Sequence, residues 1–195
     1  MKLRSIALFL AVVLATAAAH AQAGVYVTMD AQQFNQMGVK AIPLPGSANT
    51  DRPWLFGPAY GVYYDVTRLH TGPVVIGVDV RGDTLRRPYY GSQFDRQDGI
   101  FSLFLATKKT TYFKTRPYII GGFGIGHTRI PSRTTYNNNF IYQYGIGADR
   151  TIHGKFDWRI IEATAGYLGN YPVGYGTNQK NYLISLSTGI VFRFH

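Results

Sequence analysis

From Gly24 onwards the chain alternates apolar residues with small or polar ones at a period of two, broken only by turn-rich stretches. That period sends successive side chains to opposite faces, so it specifies strands and decides what each face carries. In 73–83, Val74, Ile76, Val78 and Val80 share one face while Gly77, Asp79 and Arg81 share the other. In 57–66, Tyr60, Val62, Tyr64 and Val66 oppose Gly61, Tyr63 and Asp65. In 140–149, Phe140, Tyr142, Tyr144, Ile146 and Ala148 oppose Ile141, Gln143, Gly145, Gly147 and Asp149. Near the end, Tyr182, Ile184, Leu186, Ile190, Phe192 and Phe194 oppose Asn181, Ser185, Ser187, Gly189 and Arg193. No comparable helical period appears in this part of the chain.

The pattern predicts eight strands, at 24–33, 57–67, 73–84, 98–108, 115–127, 138–150, 156–167 and 179–194. Each reaches or exceeds the ~9–11 residues that a tilted strand needs to cross a bilayer. Long connections (34–56, 85–97, 128–137, 168–178) interleave with short ones (68–72, 109–114, 151–155). Such alternation belongs to an up-and-down barrel with its long loops at one rim and its tight turns at the other.

Periodicity leaves open which face points inward. A soluble, lipocalin-like barrel hides its apolar face around a ligand, whereas a membrane barrel turns that face to lipid. Three features favour lipid. Aromatics of the apolar parity gather towards strand ends (Tyr60, Phe101, Phe140, Tyr142, Tyr182, Phe192, Phe194), where interfacial girdles sit. The opposite parity is rich in glycine and serine, as suits a crowded interior. A closed barrel is also the only way for a chain without apolar helices to satisfy its backbone within a bilayer. The reading is all-β: an eight-stranded antiparallel up-and-down transmembrane β-barrel over 24–195.

Residues 1–23 stand apart. Lys2 and Arg4 precede an apolar run from Ile6 to Ala15, and small residues follow at Ala19, Ala21 and Ala23. This is the pattern of a cleaved signal peptide, with a run too short to span as a helix. Two A-x-A sites are available, Ala19-His20-Ala21 and Ala21-Gln22-Ala23. Removing Lys2 and Arg4 lowers the net charge from +10 to +8. The chain has no cysteine, which excludes a disulfide scaffold, thiol catalysis and Cys-ligated zinc.

The stretch Arg116-Pro117-Tyr118-Ile119-Ile120-Gly121-Gly122-Phe123-Gly124-Ile125-Gly126, the stretch Tyr144-Gly145-Ile146-Gly147-Ala148-Asp149 and the ending Gly189-Ile190-Val191-Phe192-Arg193-Phe194-His195 carry a resemblance. With the order of strands, they make the mature chain resemble the small outer-membrane β-barrel superfamily: the OmpA-type transmembrane domain and its opacity-protein and OmpW-like relatives. The resemblance implies a Gram-negative outer membrane, with lipids and lipopolysaccharide as surroundings. It also implies that Phe192 and Phe194 form a C-terminal signal for the outer-membrane assembly machinery, with His195 as a one-residue departure. It transfers no activity, because barrels of this size include anchors, adhesins, narrow pores and lipid-modifying enzymes.

Candidate chemistry is sparse. The glycines at 121–126 lack the phosphate-loop spacings and precede no helix, so they are read as leaving room for large neighbours such as Tyr63 or letting the strand bend. No HExxH, His-x-His or dense carboxylate loop is present, and neither a metal nor a cofactor is expected. An esterase needs a hydroxyl beside an imidazole. His70, His127 and His153 are followed two places on by Gly72, Arg129 and Lys155, and the nearest serine to His127 is Ser132, in a loop. A non-enzymatic protein is expected.

The inner parity is more informative, placing Asp65, Asp79, Arg81, Asp149, Glu162 and Arg193 in a narrow lumen. Charges there need partners, so an ionic network plugging the barrel is expected, with a constriction passing small ions as the alternative. Strict alternation from Glu162 turns Ile161 and Arg159 outward, with Arg159 snorkelling at the turn rim. Arg86, Arg87, Arg129 and Arg133 sit in the long loops, where lipopolysaccharide phosphates are candidate partners. Lys108, Lys109, Lys114, Arg150 and Lys155 belong to the short turns. Nucleic acid is not an expected partner, since the basic residues are dispersed. A monomer with a structural or surface-interaction role is expected, the alternatives being a narrow channel and a lipid-modifying enzyme.

Overall fold

A computed structural model describes residues 23–35, 54–68, 73–86, 95–108, 114–129, 136–169 and 181–194. They form eight strands: β1 (Ala23–Asn35), β2 (Trp54–Arg68), β3 (Val74–Arg86), β4 (Asp95–Thr107), β5 (Thr115–Arg129), β6 (Tyr136–His153), β7 (Phe156–Gly169) and β8 (Asn181–Phe194). Each pairs antiparallel with its sequence neighbour, and β1 pairs with β8 from Ala23↔Phe194 to Asn35↔Tyr182. The sheet therefore closes without an edge, and every strand has a partner on both sides.

All eight expected strands are present, several of them longer than the apolar alternation. β2 starts at Trp54, β4 at Asp95 and β6 at Tyr136, because ladder pairing continues after the lipid-facing pattern has ended. β8 is described from Asn181, and residues 179 and 180 of the expected strand lie outside the described residues. The β6–β7 connection shrinks to 154–155, where Gly154 at φ 55° supplies the left-handed conformation of a tight hairpin.

The apolar parity faces out. Val27, Tyr60, Phe123, Phe140, Tyr142 and Ile190 are exposed, with Ile146 at 64% and Tyr144 at 71%. An apolar belt on this scale is far beyond the patches that water-soluble monomers tolerate. The other parity is buried and polar. Inside, Tyr26, Tyr63, Phe104, Tyr118 and Val191 cluster towards the short-connection rim, and Leu55, Leu85, Ile100, Ile141, Leu168 and Leu183 cluster towards the other.

One inward–outward assignment is corrected. Arg159 does not snorkel; it is buried in the lumen, as is Glu162. The register of β7 shifts between Arg159 and Glu162 against β8, and that of β6 shifts between Ala148 and Asp149 against β7. A bulge at Ile160 adds one residue, so Arg159 and Glu162 share a face despite their odd spacing. Trp158 is turned outward by the same bulge.

The glycine run leaves room for large side chains as expected at Gly126, which faces Asp98, Ile141 and Arg96, but not for Tyr63. Gly122 and Gly124 lie so close to the β4 backbone, at Phe101 and Gly99, that a side chain would collide with it. The residue that makes room for Tyr63 is Gly24, its direct cross-strand partner.

Candidate functional site

The lumen gathers nearly all of the chain's negative charge. Of its ten Asp and Glu residues, eight are buried there: Asp30, Asp65, Asp79, Asp83, Asp98, Asp149, Asp157 and Glu162. They face five buried arginines, Arg81, Arg96, Arg116, Arg159 and Arg193, none more than 6% exposed. Charges this far from water persist only when paired.

Glu162 is the hub. Its Oε1 accepts from Arg81 Nη1, and its Oε2 accepts from the Tyr118 hydroxyl at 2.6 Å and lies 3.3 Å from Arg159 Nη1. Arg81 Nε approaches Asp79 at 3.4 Å, and Asp79 accepts from the Tyr26 hydroxyl at 2.8 and 3.1 Å. Arg159 Nε donates to Asp149 at 3.1 Å. The Arg159 guanidinium also lies 4.2 Å from the Tyr26 ring centre and 5.4 Å from that of Tyr118. These ring contacts each contribute up to about 2 kcal/mol when desolvated. The carboxylate is held by two cations and a phenol from three different strands, so it ties opposite walls of the barrel together.

Two tyrosines reach this hub because their cross-strand partners are glycines. Tyr26 pairs with Gly61 and Tyr118 with Gly147, and a Cβ at either glycine would run into the tyrosine ring. Nearer the short-connection rim, Arg116 Nη2 donates to Asp65 at 2.8 Å, its guanidinium lying 5.6 Å from Tyr63 and 5.4 Å from Phe104. Arg193 Nη2 donates to Asp157 at 2.6 Å and to Thr151 Oγ1 at 3.2 Å. Towards the opposite rim, Arg96 Nε donates to Asp98 at 2.6 and 2.7 Å, and the Asp98 amide donates to Asp83 at 3.2 Å. The cavity left among Tyr63, Asp79, Arg116, Tyr118, Asp149 and Arg159 measures about 20 Å³, room for about one water.

All six expected lumen residues point inward, but they do not form one set. Asp79, Arg81, Glu162 and Asp149 meet through Arg159, whereas Asp65 and Arg193 find Arg116 and Asp157. Parity alone would have added Asp30, Asp83, Asp98 and Arg116. Asp157 and Arg159 required knowledge of the bulge.

The remaining candidates lie at the rims. Arg86 is exposed and sits 3.5 Å from Asp95, a surface pair contributing ~0–1 kcal/mol. Arg129 ends β5, opposite Asp95 in the ladder, and its side chain lies outside the described residues, as do Arg87 and Arg133 entirely. Phe192 packs against Phe156 and Phe194, with ring centres 5.1 Å apart in each pair, and Phe194 closes the seam opposite Ala23. His195 lies outside the described residues. His127 Nδ1 is 2.7 Å from Asn138 Oδ1, an amide partner and not a hydroxyl nucleophile; Ser132 lies outside the described residues.

An edge-free sheet with an apolar exterior and an ion-paired interior defines the transmembrane class of β-barrel. The fold is that of the small eight-stranded outer-membrane barrels. Neisserial surface protein A (NspA) is similar at a TM-score of 0.64, with 11% identity over 88% of this chain and 97% of that one. Ail, the attachment invasion locus protein of Yersinia pestis, is similar at 0.52, with 13% identity over 89% and 99%. At these identities the likeness is one of fold. No protein-family model and no curated protein matches the sequence.

Proposed function

We propose that this protein is an integral outer-membrane barrel, exported by its N-terminal segment, with a non-enzymatic structural or surface-interaction role. The interior is a plug. The observation that carries this is the Arg81–Glu162–Arg159–Asp149 lattice, beside which a cavity of about 20 Å³ has room for about one water. With the lumen filled, the parts free to meet partners are the rims and the lipid-facing wall. The rim of long connections, bearing Arg86, Arg87, Arg129 and Arg133, is the side proposed to face the exterior and lipopolysaccharide. The two similar barrels, a surface protein and an attachment invasion protein, fit a role of this kind. Phe192 and Phe194 are proposed as the assembly signal, and the chain is proposed to act as a monomer.

Planar-bilayer recording tests the plug. The intact protein should give no steady conductance; a stable conductance that changes with Arg81→Met would establish the channel instead. Lipid A from cells with and without the protein should have identical mass spectra, and loss of an acyl chain on expression would establish an enzyme.

A further inference from the structure

Arg150 is the outward-facing charge that the fold does not explain. On the lipid-facing parity of β6 its neighbours are Ala148 on one side and Ile152, 59% exposed, on the other. Beyond it towards the rim lies exposed Phe156. The apolar face thus runs past the cation on β6 and β7, while on β5 it ends at the partner Thr115. Among the described residues no carboxylate faces Arg150: eight of the chain's ten acids are in the lumen, and Asp95 pairs with Arg86 at the opposite rim. The remaining acid, Asp51, lies outside the described residues. Among the described residues the nearby charges are positive, Lys114 just before β5 and Lys155 in the β6–β7 turn. A lipid-facing arginine costs between ~0 and 4 kcal/mol with increasing depth unless something anionic joins it.

The side chains around Arg150 fit a lipid. Its cross-strand partners on the outer face are Thr115 on β5 and Trp158 on β7, a hydroxyl and an indole flanking a guanidinium in one row. The bulge at Ile160 is what turns Trp158 to this face, and the indole N–H is fixed by Thr188 Oγ1 at 3.2 Å. Directly above this row, Pro117, Ala148 and Ile161 pair across the same three strands. Small Ala148 and Ala163 between Ile119, Ile146 and Ile161 leave an apolar groove of about 570 Å³. It continues past Gly121 and Ala165 as a second groove of about 840 Å³. Both fall within the ordinary size range of small-ligand sites.

We infer that the outer wall of β5–β7 binds one anionic phospholipid, with its phosphate on Arg150 and an acyl chain in the groove over Ala148 and Ala163. Arginine suits a phosphate because its fork donates two parallel hydrogen bonds. The bound lipid belongs to the leaflet at the short-connection rim, which in such barrels is the periplasmic one. The inference rests on the membrane-barrel reading above.

The test uses the full mature chain carrying Trp54→Phe, which leaves Trp158 as its single tryptophan. It is refolded into phosphatidylcholine vesicles containing a minor fraction of bromine-labelled phosphatidylglycerol or, in parallel, bromine-labelled phosphatidylcholine. Trp158 should be quenched at about fivefold lower mole fraction by the glycerol lipid, the effect of one cation near a membrane surface. Arg150→Gln should abolish that preference. Ala148→Leu, which fills the groove and leaves the arginine, should reduce it. Equal quenching by both lipids in the parent protein overturns the site. A preference lost in Arg150→Gln but untouched by Ala148→Leu overturns the groove, and energy transfer between differently labelled copies that Ala148→Leu abolishes overturns lipid in favour of a second chain. Boiled and unboiled samples from the same vesicles are compared by gel mobility. Absence of a shift defeats the barrel reading itself, whereas a shift with equal quenching defeats only the lipid site.

Discussion

Replacing Glu162 by Gln keeps the volume and an acceptor for Tyr118 while removing one charge from a fully buried group. Two arginines lose a counter-charge, each about 4–6% exposed. Breaking a buried pair costs ~3–5 kcal/mol because the remaining ion stays desolvated. Here Arg81 retains Asp79 at 3.4 Å and Arg159 retains Asp149 at 3.1 Å, which places the loss near the lower end, about 3 kcal/mol or two decades in the folding constant. Glu162→Ala also removes the acceptor and opens a cavity, and should cost about 1–3 kcal/mol more. Reversible urea unfolding in phosphatidylcholine vesicles, followed by tryptophan emission, measures both. The double variant Arg81→Met, Glu162→Met removes one charge of each sign and leaves Arg159 with Asp149. Because it also strips buried Asp79 of its arginine, it should be less stable than Glu162→Met alone, in which Arg81 keeps Asp79, and the cycle should report a coupling of about 1–3 kcal/mol. A loss below about 1 kcal/mol for Glu162→Gln, as for an exposed pair, would mean that the lumen screens charge like water and that the plug is not a desolvated lattice.

Gly147→Ala should destabilise by about 1–3 kcal/mol, since the new methyl displaces Tyr118 from Glu162, whereas Gly121→Ala faces outward with its nearest neighbour 3.9 Å away and should be neutral in the same assay. Mass spectrometry of the exported protein should find Gln22 at the N-terminus. Ala23 is paired to both Tyr64 and Phe194, and cleavage after it would strip that residue from the seam. Gly154→Val should slow refolding and lower stability by about 1–2 kcal/mol, because a β-branched residue resists the left-handed conformation held at φ 55°.

The alternation that marks the strands was legible because lipid and lumen demand opposite chemistry on faces two residues apart. The same arithmetic placed Asp79, Arg81 and Glu162 inside without any knowledge of their partners. It failed at Arg159, since a bulge changes parity without changing composition: the residues Trp158 to Glu162 read equally well as an unbroken strand. Which charges pair was also hidden. Asp65 meets Arg116, 51 residues away, through barrel closure and shear, and neither leaves a trace in local sequence. Strand ends were under-extended because hydrogen-bond ladders continue past the membrane, where the apolar parity no longer has a reason to persist.

The central claim is that the apolar parity faces lipid and the charged parity is sealed inside. Its most direct test is the electrophoretic mobility of the protein taken from detergent or vesicles, boiled against unboiled. A closed barrel with a cross-linked ionic lumen should resist dodecyl sulfate until heated and should shift its mobility on boiling. Identical mobility before and after boiling, in a protein that also stays soluble and folded without detergent, would contradict it.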